Sequence, residues 1–383
     1  MSTARPCLAA AEVAAATLVC LPDMGPSRLR AVLDRWPDPG AALAAVRAGK
    51  AGDALARHAR LVRTHEREAL ARSWARAARV LDLAPELARR GTAVVRDGHA
   101  DYPIGDEVPD RPAVLLVEGA APDVLCGPRV AIVGTRSASV HGLADARELG
   151  AFLARRGVTV VSGLAIGIDG AAHLGALDAG GGVVGVVATG LDVVYPRRHV
   201  VLFQRVRQSG VLLSEAGFGA QANRFRFPVR NRIIAALADV VVVVEATLRG
   251  GARITADYGL EYGRPVLVVP GSRRNPSAEG CNALLADGAQ PLLDPDDVLV
   301  ALGLTPGSRR GWGAPPPRAA PGSEGARILE VCSGEAATVD QLVSRSSSRP
   351  RRSRSRCARS SGRGGSSTGG GGGGPDDARA IRR

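Results

Sequence analysis

The chain has 383 residues, 45% hydrophobic and 23% charged, which suits two or three domains and includes no apolar run of membrane-spanning length. Its formal charge of +13 is unevenly placed: residues 345–383 carry 11 Arg against Asp376 and Asp377, so the remainder is only mildly basic and charge alone does not establish a polyanionic partner. Cys7, Cys20, Cys126, Cys281, Cys332 and Cys357 are scattered without a C-x-x-C pair, which argues against a disulfide framework and a metal site; with no basic-then-apolar leader, the expected location is the cytoplasm.

Residues 1–85 read as short helices rich in Ala, Leu and Arg, a helical N-terminal domain. Within it Leu21-Pro22-Asp23-Met24-Gly25-Pro26-Ser27 separates two helical patterns, the second over 29–36. Such a turn fits a small bundle of the SAM-like kind, or a helix-hairpin-helix whose amides hold a DNA phosphate.

From about Gly91 to Gly303, short runs of Val, Ile and Ala alternate with helical patterns. Strands are predicted at 130–133, 158–161, 183–188, 211–214, 240–245 and 266–269, and helices at 143–155, 170–178, 200–207, 231–238 and 254–262. This alternation predicts right-handed βαβ units and an α/β domain over 86–303, Rossmann-like, with a doubly wound, mostly parallel sheet.

Residues 304–324 read as a Pro/Gly/Ser-rich linker, and 325–344 as the start of a winged-helix-like module lacking its third helix and wing. Residues 345–383, Ser/Arg repeats then a glycine run, cannot build a core. A disordered basic tail or an out-of-frame translation of GC-rich codons fits them, and translating the other two frames of the gene distinguishes the two.

The chemistry concentrates in strand-to-helix loops. Gly134-Thr135-Arg136-Ser137 follows the first strand, where helix amides favour an anion, Gly134 permits close approach and Arg136 adds a planar charged fork. Ser162-Gly163-Leu164-Ala165-Ile166-Gly167-Ile168-Asp169 makes a second glycine-rich turn beside it, and two neighbouring nests suit successive phosphates. Asp169 and His173 invite an acid–base reading, but without a nucleophile or metal partner, capping by Asp169 and packing of His173 suffice. Phe225-Arg226-Phe227-Pro228-Val229-Arg230-Asn231-Arg232 alternates rings with cations, the combination that stacks unpaired bases and holds their phosphates, although a ring here also serves as a core anchor. Arg249-Gly250-Gly251-Ala252-Arg253 adds a further basic, glycine-rich turn on the same rim.

In this order, VAIVGTR, SGLAIGIDGAAH, TGLDVVYP, FPVRNRIIAAL, VVEA and VLVVPG resemble the DNA-processing protein A (DprA, or Smf) family over roughly residues 90–300. The resemblance implies a protein that binds single-stranded DNA, forms a homodimer through its Rossmann-like domain and loads the RecA recombinase during natural transformation, with no cofactor and no membrane partner. It also implies DNA contact by Gly134, Arg136, Ser162, Gly163, Gly167, Arg230, Asn231 and Arg232; Phe225 and Arg249 join them on the reading of the residues alone. The family's R-S-G-S-L-x-T-A turn here reads Arg249-Gly250-Gly251-Ala252-Arg253-Ile254-Thr255-Ala256, which lacks two hydroxyls.

An enzyme reading comes from the LOG-type nucleoside-monophosphate phosphoribohydrolases, whose P-G-G-x-G-T-x-x-E signature has no counterpart here because no Glu follows Gly251 at the right distance. No G-x-x-x-x-G-K-[ST] loop is present for ATP, and the loop after the first strand is not the dinucleotide fingerprint G-x-G-x-x-G. A binding module, not an enzyme, is the expectation.

Overall fold

A computed structural model describes residues 8–57 and 63–305. Six helices come first: α1 (Ala10–Val19), α2 (Pro26–Arg35), α3 (Pro39–Arg47), α4 (Ala51–Arg57), α5 (Thr64–Val80) and α6 (Ala84–Arg90). The turn between α1 and α2 is closed by Met24 N donating to Leu21 O, and the indole of fully buried Trp74 on α5 donates to Pro22 O at 2.8 Å. The helices share one apolar cluster with the first face of the sheet. Arg30 of α2 reinforces that seam by donating to Asp97 Oδ2 at 2.8 Å and Arg111 O at 2.7 Å.

The chain then runs through β1 (Ala93–Arg96), β2 (Val114–Gly119), β3 (Arg129–Val133), α7 (Val140–Arg155), β4 (Thr159–Ser162), α8 (Ile168–Asp178), β5 (Val183–Val186), α9 (Val200–Ser209) and β6 (Val211–Ser214). It continues through α10 (Arg226–Leu237), β7 (Val240–Val243), α11 (Gly251–Glu261), β8 (Val266–Val268), α12 (Glu279–Ala286), β9 (Gln290–Pro291) and α13 (Asp296–Ala301). Among the described residues nine strands form one sheet in the order β1-β2-β6-β5-β4-β3-β7-β8-β9. Pairing is parallel from β6 to β9, while β1–β2 and β2–β6 are antiparallel.

The valine runs are uninterrupted because both faces are covered. Val130 and Ile132 of β3 pack with α7 and α8, whereas Ala131 and Val133 pack with α10 and α11. The doubly wound, mostly parallel α/β fold with helices ahead of it is the one expected; the antiparallel β1–β2 extension is additional. Among the described residues no helix is long and apolar enough to cross a membrane. Residues 306–383, with most of the linker, the winged-helix-like start and the Arg/Ser/Gly tail, lie outside the described residues.

Candidate nucleic-acid interface

Strand order reverses at β3, which has β4 on one side and β7 on the other. A doubly wound sheet opens its crevice at such a point. Here the chain itself occupies the side of that crevice at the start of α7. Glu245, two residues past β7, is 7% exposed and accepts from Ser139 N at 2.8 Å and Ser139 Oγ at 2.6 Å. Ser139 Oγ in turn accepts from Gly142 N at 3.0 Å, so the N-terminus of α7 already holds a hydroxyl cap and a carboxylate.

Helix α8 has no side-chain cap, but the loop leading into it is held by an acid of the helix itself. Asp169, buried in its first turn, accepts from Gly163 N at 3.0 Å. Burial pushes its carboxyl up, while the Arg230 guanidinium and the Gly163 amide pull it back down. His173, four residues on, is fully buried with Nε2 3.1 Å from Val184 O, and burial pushes its imidazole down to about 4. The pair is structural.

The expectation that both turns present open amides to phosphates is therefore corrected, and so is the role of their glycines. A Cβ on Gly134 would lie 2.4 Å from Ile168 Cγ1 and 2.8 Å from Glu245 O, so its missing side chain makes room for neighbouring protein rather than an anion. A Cβ on Gly163 would lie 2.6 Å from the Arg230 guanidinium. Gly167 takes φ 87° as the cap residue of α8, against Thr135 O. Ser162 is fully buried and donates to Ile132 O at 2.6 Å, which leaves it no surface for a ligand.

A second correction concerns the aromatic–basic stretch. It is helical from Arg226, because Pro228 falls in the first turn, where its missing amide goes unused. Alternate residues on a helix point about 200° apart, so the alternation disperses its cations instead of gathering them. Arg230, 6% exposed, donates to Gly163 O at 2.7 Å and to Val186 O; burial pushes its guanidinium down to about 10, which leaves it charged at neutral pH. Asn231 accepts from Arg230 Nε at 3.2 Å and donates to Gly251 O at 3.0 Å, joining α10 to α11. Arg232 turns away and donates to Glu215 Oε1 at 2.7 Å and Oε2 at 2.6 Å. Of the three, only Arg230 and Asn231 line the cleft described next.

That cleft, of about 630 Å³, opens over the ends of β3 and β4 and the starts of α10 and α11. Phe227, Arg230, Asn231 and Ile234, the i, i+3, i+4 and i+7 face of α10, form one wall. Gly250, Gly251 and Ala252 at the start of α11 form another, and Arg136, Arg224 and Tyr195 complete the rim. The Arg136 guanidinium lies 4.8 Å over the Phe227 ring, and Tyr195, 41% exposed, meets that ring at 5.4 Å with the planes tilted by 46°. Asp169 is the one carboxylate among the lining residues, and it is buried.

Neither helix entering this cleft carries an internal anion at its start. Phe225 caps α10 without a side-chain hydrogen bond, Gly250 caps α11, and neither first turn holds an acidic residue. Arg249 is exposed on the loop immediately before Gly250. Phe225, 67% exposed, faces a separate groove. Of the expected residues, Gly134, Arg136, Arg230 and Asn231 line one cleft, while Ser162, Gly163, Gly167, Phe225, Arg232 and Arg249 do not. Tyr195 is not singled out by the sequence beyond its place in TGLDVVYP, one of only four tyrosines in the chain.

The family model for DNA recombination-mediator protein A matches residues 93–303. A DNA processing protein DprA of Mycobacterium tuberculosis is 40% identical over 286 residues, 71% of this chain and 70% of its own length. The DNA processing protein DprA of Streptococcus pneumoniae is 41% identical over 194 residues, 51% of this chain and 68% of its own. The X-ray structure of DNA processing protein A from S. pneumoniae superposes with a TM-score of 0.61 at 30% identity, covering 76% of this chain and 98% of that one. The chain belongs to the DNA recombination-mediator protein A family.

Proposed function

We propose that this member of the family binds single-stranded DNA in the cleft over β3 and β4, and delivers it to a RecA-type recombinase as a homodimer during DNA uptake. The recombinase, the homodimer and the link to natural transformation rest on family membership. The DNA reading rests on the tier of Arg136, Phe227 and Tyr195 beside two helix starts that hold no anion of their own.

Rings offer a face to any base, and guanidinium groups and helix amides attract phosphates without reading sequence. A duplex hides its base faces in the stack, so this tier suits an unpaired strand. On this reading Arg136 touches the strand directly with Arg224 and Arg249 beside it, while Arg230 and Asn231 hold the α10 wall and Gly134, Gly163 and Gly167 allow the loops to pack. The nucleotide-enzyme alternative has against it the missing glutamate of the P-G-G-x-G-T-x-x-E signature after Gly251.

Fluorescence anisotropy with matched single- and double-stranded oligonucleotides over a salt series tests the reading. The unpaired form is expected to bind more tightly, with little sequence preference and an affinity that falls steeply with salt. Equal affinity for the two forms contradicts it.

A further inference from the structure

A second cavity, of about 700 Å³, lies on the opposite side of the start of α10. One wall is the turn between α1 and α2 with Met24 and the first turn of α2 with Pro26 and Arg28, another is α5 with Leu70 and Ser73, and Val187 and Ile233 also line it. Phe225 lines it, 67% exposed. We propose that this groove receives bases of the same DNA strand, so that the helical N-terminal region forms part of the DNA footprint; the proposal rests on the reading of the cleft given above.

Two observations carry it. The groove and the cleft meet: both are lined by Arg230, and Arg224 of the cleft places its guanidinium 4.8 Å over the ring of Phe225 in the groove. A strand whose phosphates follow Arg136 and Arg224 therefore passes directly above an exposed ring. The lining also suits bases better than phosphates. Its cations Arg28, Arg226 and Arg230 are balanced by Asp23, Glu66 and Glu215, while Met24, Pro26, Leu70, Val187, Val229 and Ile233 supply an apolar surface. A flat, uncharged base loses little by entering such a groove and gains a stacking partner in Phe225. The volume is within the range of pockets that take small organic ligands.

The test is the affinity of the full chain for oligothymidylates of increasing length. Wild type is expected to keep gaining affinity past the length that fills the cleft. Phe225→Ala removes the stacking ring and is expected to weaken long oligonucleotides about tenfold. Ala69→Trp, at an exposed position lining the groove, is expected to do the same by filling it, with short oligonucleotides bound as before. Arg136→Ala weakens every length. If both groove variants match wild type at all lengths while Arg136→Ala is impaired, the groove proposal is overturned and the cleft reading stands. If wild type binds no oligothymidylate of any length, the cleft reading falls and takes the groove with it.

Discussion

Two pairs of helix starts face the same end of the sheet and differ in what they hold. That of α7 holds the Glu245 carboxylate on Ser139, and α8 carries an acid of its own, Asp169, whose carboxylate accepts from Gly163 N in the loop leading into the helix. Those of α10 and α11 have no acidic residue in the first turn and no side-chain cap, and they open beside Arg136, Phe227 and Tyr195. A glycine-rich strand-to-helix turn is therefore not by itself an anion site. What decides is whether an internal acid reaches the amides first, and in this fold the first pair builds the frame while the second faces the ligand.

The largest effect is expected where the frame loses a charge. Asp169→Ala leaves the buried Arg230 guanidinium without its counter-charge and should destabilise the fold by about 3–5 kcal/mol in urea titration; a midpoint like that of wild type would remove Asp169 from the frame. Acid should act on the same helix. Below about pH 6.5 the unfolded chain protonates His173, whereas the folded chain holds it neutral down to about 4. Stability is thus fully present above pH 6.5 and falls across that window, by at most about 3 kcal/mol, with His173→Gln flattening the fall.

On the other side of the comparison, effects should appear in binding and not in folding. Arg136 is exposed, so Arg136→Ala should leave the urea midpoint nearly unchanged, lower single-strand affinity about tenfold and reduce the salt slope by about 0.7. Loss of stability with unchanged binding would reverse the assignment. The smallest change is the most discriminating. Gly250→Asp places an acid at the cap of α11, where φ is an ordinary −82° and the built Cβ lies 3.0 Å from Thr247 Oγ1. It should stabilise that helix by a few tenths of a kcal/mol while weakening DNA binding several-fold.

The sheet was legible because valine runs covered on both faces carry a strong signal, and β3, β6 and β7 lie where that signal puts them. The site was legible only in part. Phe225 to Arg230 reads as an aromatic–basic stretch ahead of a helix expected from Asn231, because ring and cation alternate and a proline interrupts. A first-turn proline is compatible with a helix, and helical winding sends Arg230 to Gly163 and Arg232 to Glu215. Glu245 could not be paired with Ser139 from the sequence, since 106 residues separate them and the contact exists only once β7 lies beside β3. Tyr195 shares that difficulty, meeting Phe227 through tertiary packing alone.

A crystal structure of the full chain with a short oligothymidylate tests the central claim most directly. The account predicts phosphates at the starts of α10 and α11 within reach of Arg136, and a base against the Tyr195–Phe227 rings. A strand seated instead at the start of α7 with Glu245 displaced, or bound elsewhere with the cleft empty, would contradict it.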